Sequence, residues 1–281
     1  MKWALKMIAK LFIARLPVSY NFWKSVNLFQ HGRMDTIDYP IKIFKMHTDR
    51  AYPQGFPSQP VILELGPGDS IASAIIGCSF GVKHIYLVDI GRFANKDVSF
   101  YQSVAADLKE KGLNAPNLSK AISFEEILGI CNAEYLTDGI SSLRLIPNNS
   151  VDFIWSHSVL EHVRKSELES VLRELKRISK PGSYSSHNID FQDHLDHALN
   201  SLRFSEVFWE SSLVYKSGFY TNRIPAIVMH NMFKQAGFLV EKEGFGQWPT
   251  LPISRSALHA DFQKYLDMEL INRTSHVLLK A

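Results

Sequence analysis

The chain has 281 residues and a mass of 32.0 kDa, which is enough to bury a sizeable core in one large domain. Hydrophobic residues at 46% and charged residues at 21% argue against a disordered chain and against a bundle of membrane-spanning helices. The formal net charge of +3 is too small to indicate nucleic-acid binding, and we expect no nucleic-acid partner.

The N-terminal segment is basic and aromatic. Residues 1–33 contain six basic residues and no acidic one, and Lys2, Lys6 and Lys10 recur every four residues, as on one side of a helix. The lysines interrupt the apolar run, which argues against a signal peptide or a spanning helix. We predict that residues 1–57 form a helical cap or lid on the domain. Contact of residues 1–33 with an anionic membrane surface is the alternative.

From residue 61 onward, strand patterns alternate with helix patterns. Short apolar runs predict strands at residues 61–65, 84–89, 132–136, 150–156, 183–189, 238–243 and 276–280. Helical spacing predicts helices at residues 71–80, 100–111, 159–179 and 224–236. This order predicts an α/β fold, a doubly wound, mostly parallel seven-stranded sheet of the Rossmann-like kind, in a domain spanning residues 58–281. The alternation breaks at about residues 190–225, where aromatic-rich sequence predicts a helical insertion for substrate binding.

The first strand ends in an unusual way, in the sequence VILELGPGDS at residues 61–70. Glu64 lies near the end of the strand, and Gly66 and Gly68 follow in a turn where the missing Cβ atoms allow a ligand to approach the backbone. Asp89 ends the next strand, where a carboxylate can accept hydrogen bonds from both hydroxyls of a ribose. Together these residues predict a nucleoside-containing ligand.

The acidic residues favour one class of nucleoside ligand. A dinucleotide turn needs a third glycine three residues after Gly68, and that position is Ile71. Glu64 and Asp69 would also repel a pyrophosphate. S-adenosylmethionine instead carries a cationic ammonium and a cationic sulfonium, which carboxylates stabilise. The pattern therefore favours this cofactor over NAD(P).

Four segments taken together resemble the class I S-adenosylmethionine-dependent methyltransferase family over about residues 60–190: VILELGPGDS, HIYLVD, SVDFIWSHSVLEHV and LRELKRISKPGSYSSHNID. The resemblance implies that Asp89 binds the ribose, that Ile90 contacts the adenine, and that Ser156 and His157 face the cofactor. It also implies that Thr137 and Asp138 lie near the adenine amine, although the residues around them depart from the usual pattern. The resemblance assigns the methionine moiety to the turn formed by Glu64, Gly66, Pro67 and Gly68. Asp69 is a further predicted cofactor-binding residue.

Methyl transfer to an oxygen usually also needs a base, because the hydroxyl must lose its proton. We expect His194 with Asp190, just past the fifth strand, to supply it, and His157 is a further catalytic candidate. Asp190, Asp193, His194 and His197 could equally hold a divalent metal, but their spacing is not a tight signature and no metal is predicted. The two cysteines, Cys78 and Cys131, stand far apart, which favours a reducing compartment and argues against a zinc site.

The insertion offers stacking faces and hydrogen-bond donors for an acceptor, with Trp209, Tyr220, Asn222 and Arg223 as the predicted substrate-binding residues. An aromatic-rich core under a long insertion would explain the same residues. We predict a cytoplasmic enzyme that transfers a methyl group to an oxygen, ahead of a nitrogen, of a small polar or sugar-like acceptor. An NAD(P)-dependent reductase and a non-catalytic nucleoside-cofactor-binding protein are the alternatives.

Overall fold

One sheet runs through the part of the chain that the computed structural model describes, residues 2–15 and 36–281. Within these residues it has seven strands: β1 (Val61–Leu65), β2 (His84–Val88), β3 (Ala133–Leu136), β4 (Val151–His157), β5 (Ser179–Asp190), β6 (Leu239–Gln247) and β7 (Asn272–Lys280). Their order is β3-β2-β1-β4-β5-β7-β6, and β7 is antiparallel to both of its neighbours. The other strand pairs are parallel, which confirms the predicted doubly wound, mostly parallel sheet.

Helices cover both faces of this sheet. In chain order they are α1 (Lys2–Ile13), α2 (Asp38–Ala51), α3 (Ala72–Ser79), α4 (Val98–Glu110), α5 (Phe124–Ile130), α6 (Ile140–Leu145), α7 (Lys165–Ile178), α8 (Glu206–Trp209), α9 (Ser212–Tyr215), α10 (Ala226–Gln235), α11 (Ala260–Gln263) and α12 (Asp267–Leu270). Two 3-10 turns, Asn200–Arg203 and Arg255–Ala257, lie in the connections. Among the described residues, no helix is long and apolar enough to cross a membrane.

Alternation along β1 explains the two apolar layers. Successive side chains of a strand point to opposite faces, so Ile62 and Leu63 belong to different layers, and both are fully buried. On the side of Ile62, the layer is built from α2, α3, α4 and α5. On the side of Leu63, it is built from α6, α7 and α10. Burial on both faces is the reason why the central strands read as near-continuous apolar runs.

Helix α7 begins six residues later than its apolar spacing predicts. The sequence pattern places the start at Val159, but the helix starts at Lys165. The side-chain amide of Asn222 donates to the carbonyls of Leu160 (2.8 Å) and Val163 (3.0 Å). A helix would need those carbonyls for its own hydrogen bonds, so residues 159–164 remain a loop that extends from the carboxyl end of β4.

The insertion and α1 form a third apolar cluster. Met7 of α1 packs with Leu195, Trp209 and Phe219 of the insertion. The helical insertion predicted at about residues 190–225 consists of short helical turns joined by irregular chain. The predicted cap at residues 1–57 lies partly outside the described residues, because its residues 16–35 fall in the gap.

The buried face of α7 can be tested with two adjacent residues. Leu172 is fully buried, whereas Arg173 is exposed and makes only an exposed ion pair with Glu169. We expect Leu172→Ala to lower the free energy of unfolding by about 2–5 kcal/mol, because it leaves a cavity in the core. Arg173→Ala should change it by about 0.5 kcal/mol or less. Guanidinium unfolding measures both, and equal losses would contradict the burial of this face.

Candidate active site

The glycines of the turn between β1 and α3 allow its backbone to lie close to the ends of the neighbouring strands. Gly66 and Gly68 have φ of +74° and +65°, a region that side chains disfavour. A Cβ on Gly66 would collide with the side chain of Val159. The amide of Gly66 also donates to the carbonyl of Val88 at 2.8 Å. The backbone of this turn therefore lies tightly against the ends of β2 and β4.

Asp89 fastens the turn to the end of β2. Its Oδ2 accepts a hydrogen bond from the amide of Gly68 at 3.0 Å, and its Oδ1 accepts one from the amide of Ile90 at 2.7 Å. The carbonyl of Asp89 accepts from the amide of Gly139 at 2.9 Å, which brings the predicted pair Thr137 and Asp138 beside it. Ile90 is 76% exposed and borders Gly139. A carboxylate and an exposed apolar side chain thus lie together at the carboxyl ends of β2 and β3.

Glu64 is a buried acid beside the same turn. It is 2% exposed, and burial raises the pKa of its carboxyl to about 8, with the charge of Asp89 adding to the rise. Among the described residues, its Oε2 has no hydrogen-bond partner. A carboxyl in this environment favours a cationic neighbour, which would stabilise the ionised form. Asp69 and Pro67 complete the turn, and the amide of Asn95 donates to the carbonyl of Asp69 at 2.8 Å.

The two residues that end β4 point to different faces of the sheet. Ser156 is fully buried, and its Oγ lies 2.8 Å from Nδ1 of His187 on the face covered by α10. His157 lies on the α2 face, with Nδ1 at 3.4 Å from Nε2 of His47. Burial lowers the pKa of His157 to about 4, and the charge of Arg50 adds to the fall. The imidazole of His157 is therefore neutral at physiological pH.

Helix α2 contributes two residues that sequence reasoning missed. Nδ1 of His47 lies 2.8 Å from Oγ of Ser186, and the guanidinium of Arg50 donates to Ser186 (3.1 Å) and to Asn188 (2.9 Å). Burial holds the pKa of His47 well below its usual range. A hydrogen-bonded chain from Ser186 through His47 to His157 thus links β5 to the end of β4. No local signal indicates it, because His47 and His157 are 110 residues apart.

His194 and Asp190 have separate partners. Nε2 of His194 lies 3.2 Å from Nε2 of His162, the two rings are stacked, and burial lowers the pKa of His194 to about 3. Oδ1 of Asp190 accepts from the amide of Gln192 at 2.9 Å, and burial raises its pKa. These contacts do not form the predicted imidazole–carboxylate pair. Within residues 2–15 and 36–281, no group of three or more His, Cys, Asp or Glu side chains could hold a metal.

The four predicted substrate-binding residues are occupied with contacts inside the protein. Nε1 of Trp209 donates to the carbonyl of Thr221 at 2.8 Å, and the hydroxyl of Tyr220 donates to Glu210 at 2.8 Å. Arg223 has a buried side chain that pairs with Glu206 at 3.0 Å. Asn222 holds the loop before α7, as described above. These are the contacts of residues that fix the insertion, and their role in binding an acceptor stays a prediction.

Comparisons with known proteins give one domain match and several distant structural likenesses. Residues 63–186 match the family described as a methyltransferase domain, and no curated protein matches the chain. Among solved structures, the chain is similar to an S-adenosylmethionine-dependent methyltransferase from Archaeoglobus fulgidus, with 13% identity, 86% of this chain and 94% of that chain covered, and a TM-score of 0.46. The corresponding enzyme from Mesorhizobium loti has 11% identity, coverage of 80% and 94%, and a TM-score of 0.44.

A chain in the complex of the Haloferax volcanii Trm112 methyltransferase activator with a methyltransferase is also similar, with 15% identity, coverage of 88% and 97%, and a TM-score of 0.46. These likenesses are distant, and the domain match stands beside the glycine turn, Asp89 and Oε2 of Glu64, which has no hydrogen-bond partner among the described residues. Over residues 63–186, the chain is similar to a methyltransferase domain.

Proposed function

We propose that the enzyme transfers a methyl group to the oxygen of a small polar acceptor, with His157 as the base. The observation that carries the proposal is the neutral imidazole at the end of β4, linked through His47 to Ser186. An oxygen acceptor needs such a base, whereas a neutral amine can attack without prior loss of a proton. The presence of this chain beside the strand ends therefore favours oxygen over nitrogen.

The cofactor would be held by the residues around the glycine turn. S-adenosylmethionine supplies an electrophilic methyl group on a sulfonium. The ammonium of this cofactor would stabilise the ionised carboxylate of Glu64. Gly66 and Gly68 would leave room for the methionine part of the cofactor. Asp89 would bind the ribose hydroxyls, and exposed Ile90 would cover the adenine. Pro67, Asp69, Thr137 and Asp138 would complete the walls.

Hydrogen-bond donors and acceptors along the chain agree with a basic Nε2 on His157. If Nδ1 of His157 carries the hydrogen, it donates to Nε2 of His47, and Nδ1–H of His47 then donates to Ser186. Oγ of Ser186 has two lone pairs, which accept from His47 and from Arg50. This arrangement leaves Nε2 of His157 as the atom that takes the acceptor's proton. His47 then acts as a positioning residue that fixes the tautomer.

The low pKa of His157 defines what kind of base it is. A pKa of about 4 keeps the imidazole neutral at pH 7, but it makes the protonated form unfavourable. Such a base accepts a proton as the new O–C bond forms rather than before it. Alignment of the reactants and exclusion of water must therefore supply most of the rate enhancement.

The prediction that the acceptor is sugar-like has less support than the prediction of a hydroxyl acceptor. The sugar-like acceptor was predicted from aromatic and amide side chains of the insertion, and Trp209 and Asn222 now have partners inside the protein. We therefore propose only a hydroxyl-bearing small polar acceptor. The cytoplasmic location stays a prediction, and both cysteines, Cys78 and Cys131, are free.

A labelled-methyl screen tests the reaction. The protein is incubated with S-adenosylmethionine that carries a tritiated methyl group, together with panels of alcohols, phenols, polyols and amines. We expect label on hydroxyl acceptors. Label on amines alone would overturn the oxygen assignment. Tight binding of S-adenosylhomocysteine without transfer to any acceptor would instead favour the non-catalytic alternative.

The base is tested by a pH profile at saturating substrates. His157 acts in its neutral form, so kcat should stay level from about pH 8 down to about pH 5, whereas a base of ordinary histidine pKa would lose activity below about pH 6.5.

His157→Ala should lower kcat by about 10²- to 10⁴-fold with unchanged affinity for S-adenosylhomocysteine. His47→Ala should lower kcat less, and His47→Gln should restore part of it, because an amide oxygen can accept from His157. A loss for His194→Ala but not for His157→Ala would return the role to His194.

The raised pKa of Glu64 predicts how the stability of the protein depends on pH. Its folded pKa of about 8 lies above the unfolded value, so the native state binds an extra proton in the window between them. Stability should therefore fall as pH rises through that window, by at most about 1.4 kcal/mol per pH unit from this group. Glu64→Gln should flatten this slope and raise Tm at pH 8. It should also weaken S-adenosylhomocysteine binding by about 10- to 100-fold in calorimetry, because the ammonium loses its carboxylate.

Glu161 provides the matched control for this variant. Burial raises the pKa of its carboxyl to about 8 as well, but it lies beside Asp190 rather than beside the glycine turn. Glu161→Gln should likewise raise Tm at pH 8 and leave the affinity for S-adenosylhomocysteine unchanged. If both variants bind this ligand equally, Glu64 has no role in holding it.

A further inference from the structure

Helix α1 has two apolar sides, and the insertion covers only one of them. Trp3, Met7 and Leu11 face the insertion and belong to its apolar cluster. On the other side, Leu5, Ile8 and Phe12 are 70%, 61% and 69% exposed. Their spacing of three and four residues puts them on one helix face, which we call the outer stripe. Contiguous exposed apolar side chains of this kind mark a surface that binds something.

The contacts on the inner side hold α1 firmly against the insertion. The ring of Trp3 meets that of Phe204 edge-on at 6.1 Å, and the guanidinium of Arg203 lies over Trp3 at 5.2 Å. At the other end of the helix, Arg15 donates to the carbonyl of Leu213 at 2.9 Å. The outer stripe is therefore presented to solvent by a packed helix rather than exposed by a loose end.

The charges around the outer stripe have one sign. Lys2 and Lys6 are exposed on one border of the stripe, and Arg15 is exposed near its C-terminal end. Residues 2–15 contain no acidic residue, and the first acid in the sequence is Asp35. Lys10 is partly buried, and burial together with the charge of Lys6 lowers its pKa. An occupant of this surface must bring negative charge to the border and apolar groups to the centre.

An anionic lipid surface has this arrangement of charge and apolar groups. Acidic headgroups lie above acyl chains, and a basic amphipathic helix that lies in the plane of the interface contacts both at once. The 12 residues of α1 extend about 18 Å, which suits lying along the interface. We propose that α1 docks the enzyme on an anionic lipid surface, with Leu5, Ile8 and Phe12 inserted and Lys2 and Lys6 at the phosphates. This proposal does not depend on which acceptor is methylated.

Vesicle co-sedimentation of the full chain tests the apolar part. Wild-type protein should bind vesicles of phosphatidylcholine that contain about one third phosphatidylglycerol, and it should bind pure phosphatidylcholine at least about tenfold more weakly. Ile8→Ser/Phe12→Ser should reduce binding by about tenfold or more. Ile122→Ser/Leu145→Ser is the matched control, because these side chains are 84% and 76% exposed elsewhere on the domain. It should stay within about twofold of wild type.

The charged part is tested by a second pair of variants. Lys2→Gln/Lys6→Gln should weaken binding to the phosphatidylglycerol vesicles by about 25-fold, at roughly fivefold for each lysine. Lys109→Gln/Lys120→Gln removes the same charge from exposed positions outside α1 and should have little effect. Calorimetry with S-adenosylhomocysteine verifies that every variant is folded and keeps its cofactor site.

Three results would overturn the proposal. The first is no binding of wild-type protein to phosphatidylglycerol vesicles at about millimolar lipid. The second is equal losses for the α1 variants and their controls. The third is a dimer in light scattering that Ile8→Ser/Phe12→Ser dissociates without vesicle binding, which would make a second copy of the chain the occupant. Each of these results leaves the proposed methyl transfer untouched, because the labelled-methyl screen needs no lipid.

Discussion

The hydrogen bond from the amide of Gly68 to the carboxylate of Asp89 ties the first turn of the sheet to the end of its second strand. The turn can lie this low only because Gly66 has no Cβ to collide with Val159, which follows β4. Three strand ends therefore meet around one small volume. Glu64 is buried beside it, and the charge balance of the volume depends on what binds there.

The packing of α2 across β4 and β5 determines the surroundings of the histidines. It buries His47 against Trp155, with ring centroids 5.2 Å apart, and it brings Arg50 to Ser186 and Asn188. Burial lowers the pKa of both imidazoles, so both favour the neutral form. In the described part of the chain, helix α1 and the insertion share a separate apolar cluster, which contains neither α2 nor the strand ends that hold His157 and Ser186.

Most strands could be predicted because their apolar runs are continuous, and the errors have local causes. The pattern predicted a helix that ends at residue 179 and a strand that starts at residue 183. Strand β5 instead starts at Ser179 and passes through Pro181 and Gly182, because its register with β4 shifts between Val151 and Phe153. Helix α5 was missed although Ser123 accepts from the amide of Glu126, and Glu126 accepts from the amide of Ile122. The Ser-x-x-Glu spacing of Ser123 and Glu126 is a readable signal of a helix start. The short helical turns of the insertion were not predicted from any capping signal of this kind.

The sequence by itself was enough to predict the cofactor class, because Glu64, the glycines and Asp89 lie at strand ends that parallel pairing must bring together. The tertiary structure alone decided which imidazoles lie in contact, since the pairing of His47 with His157 depends on how a distant helix packs. It also decided which side of α1 is covered. Helical spacing places Trp3 and Leu5 on different faces, but only packing against the insertion determines which of them is left in water.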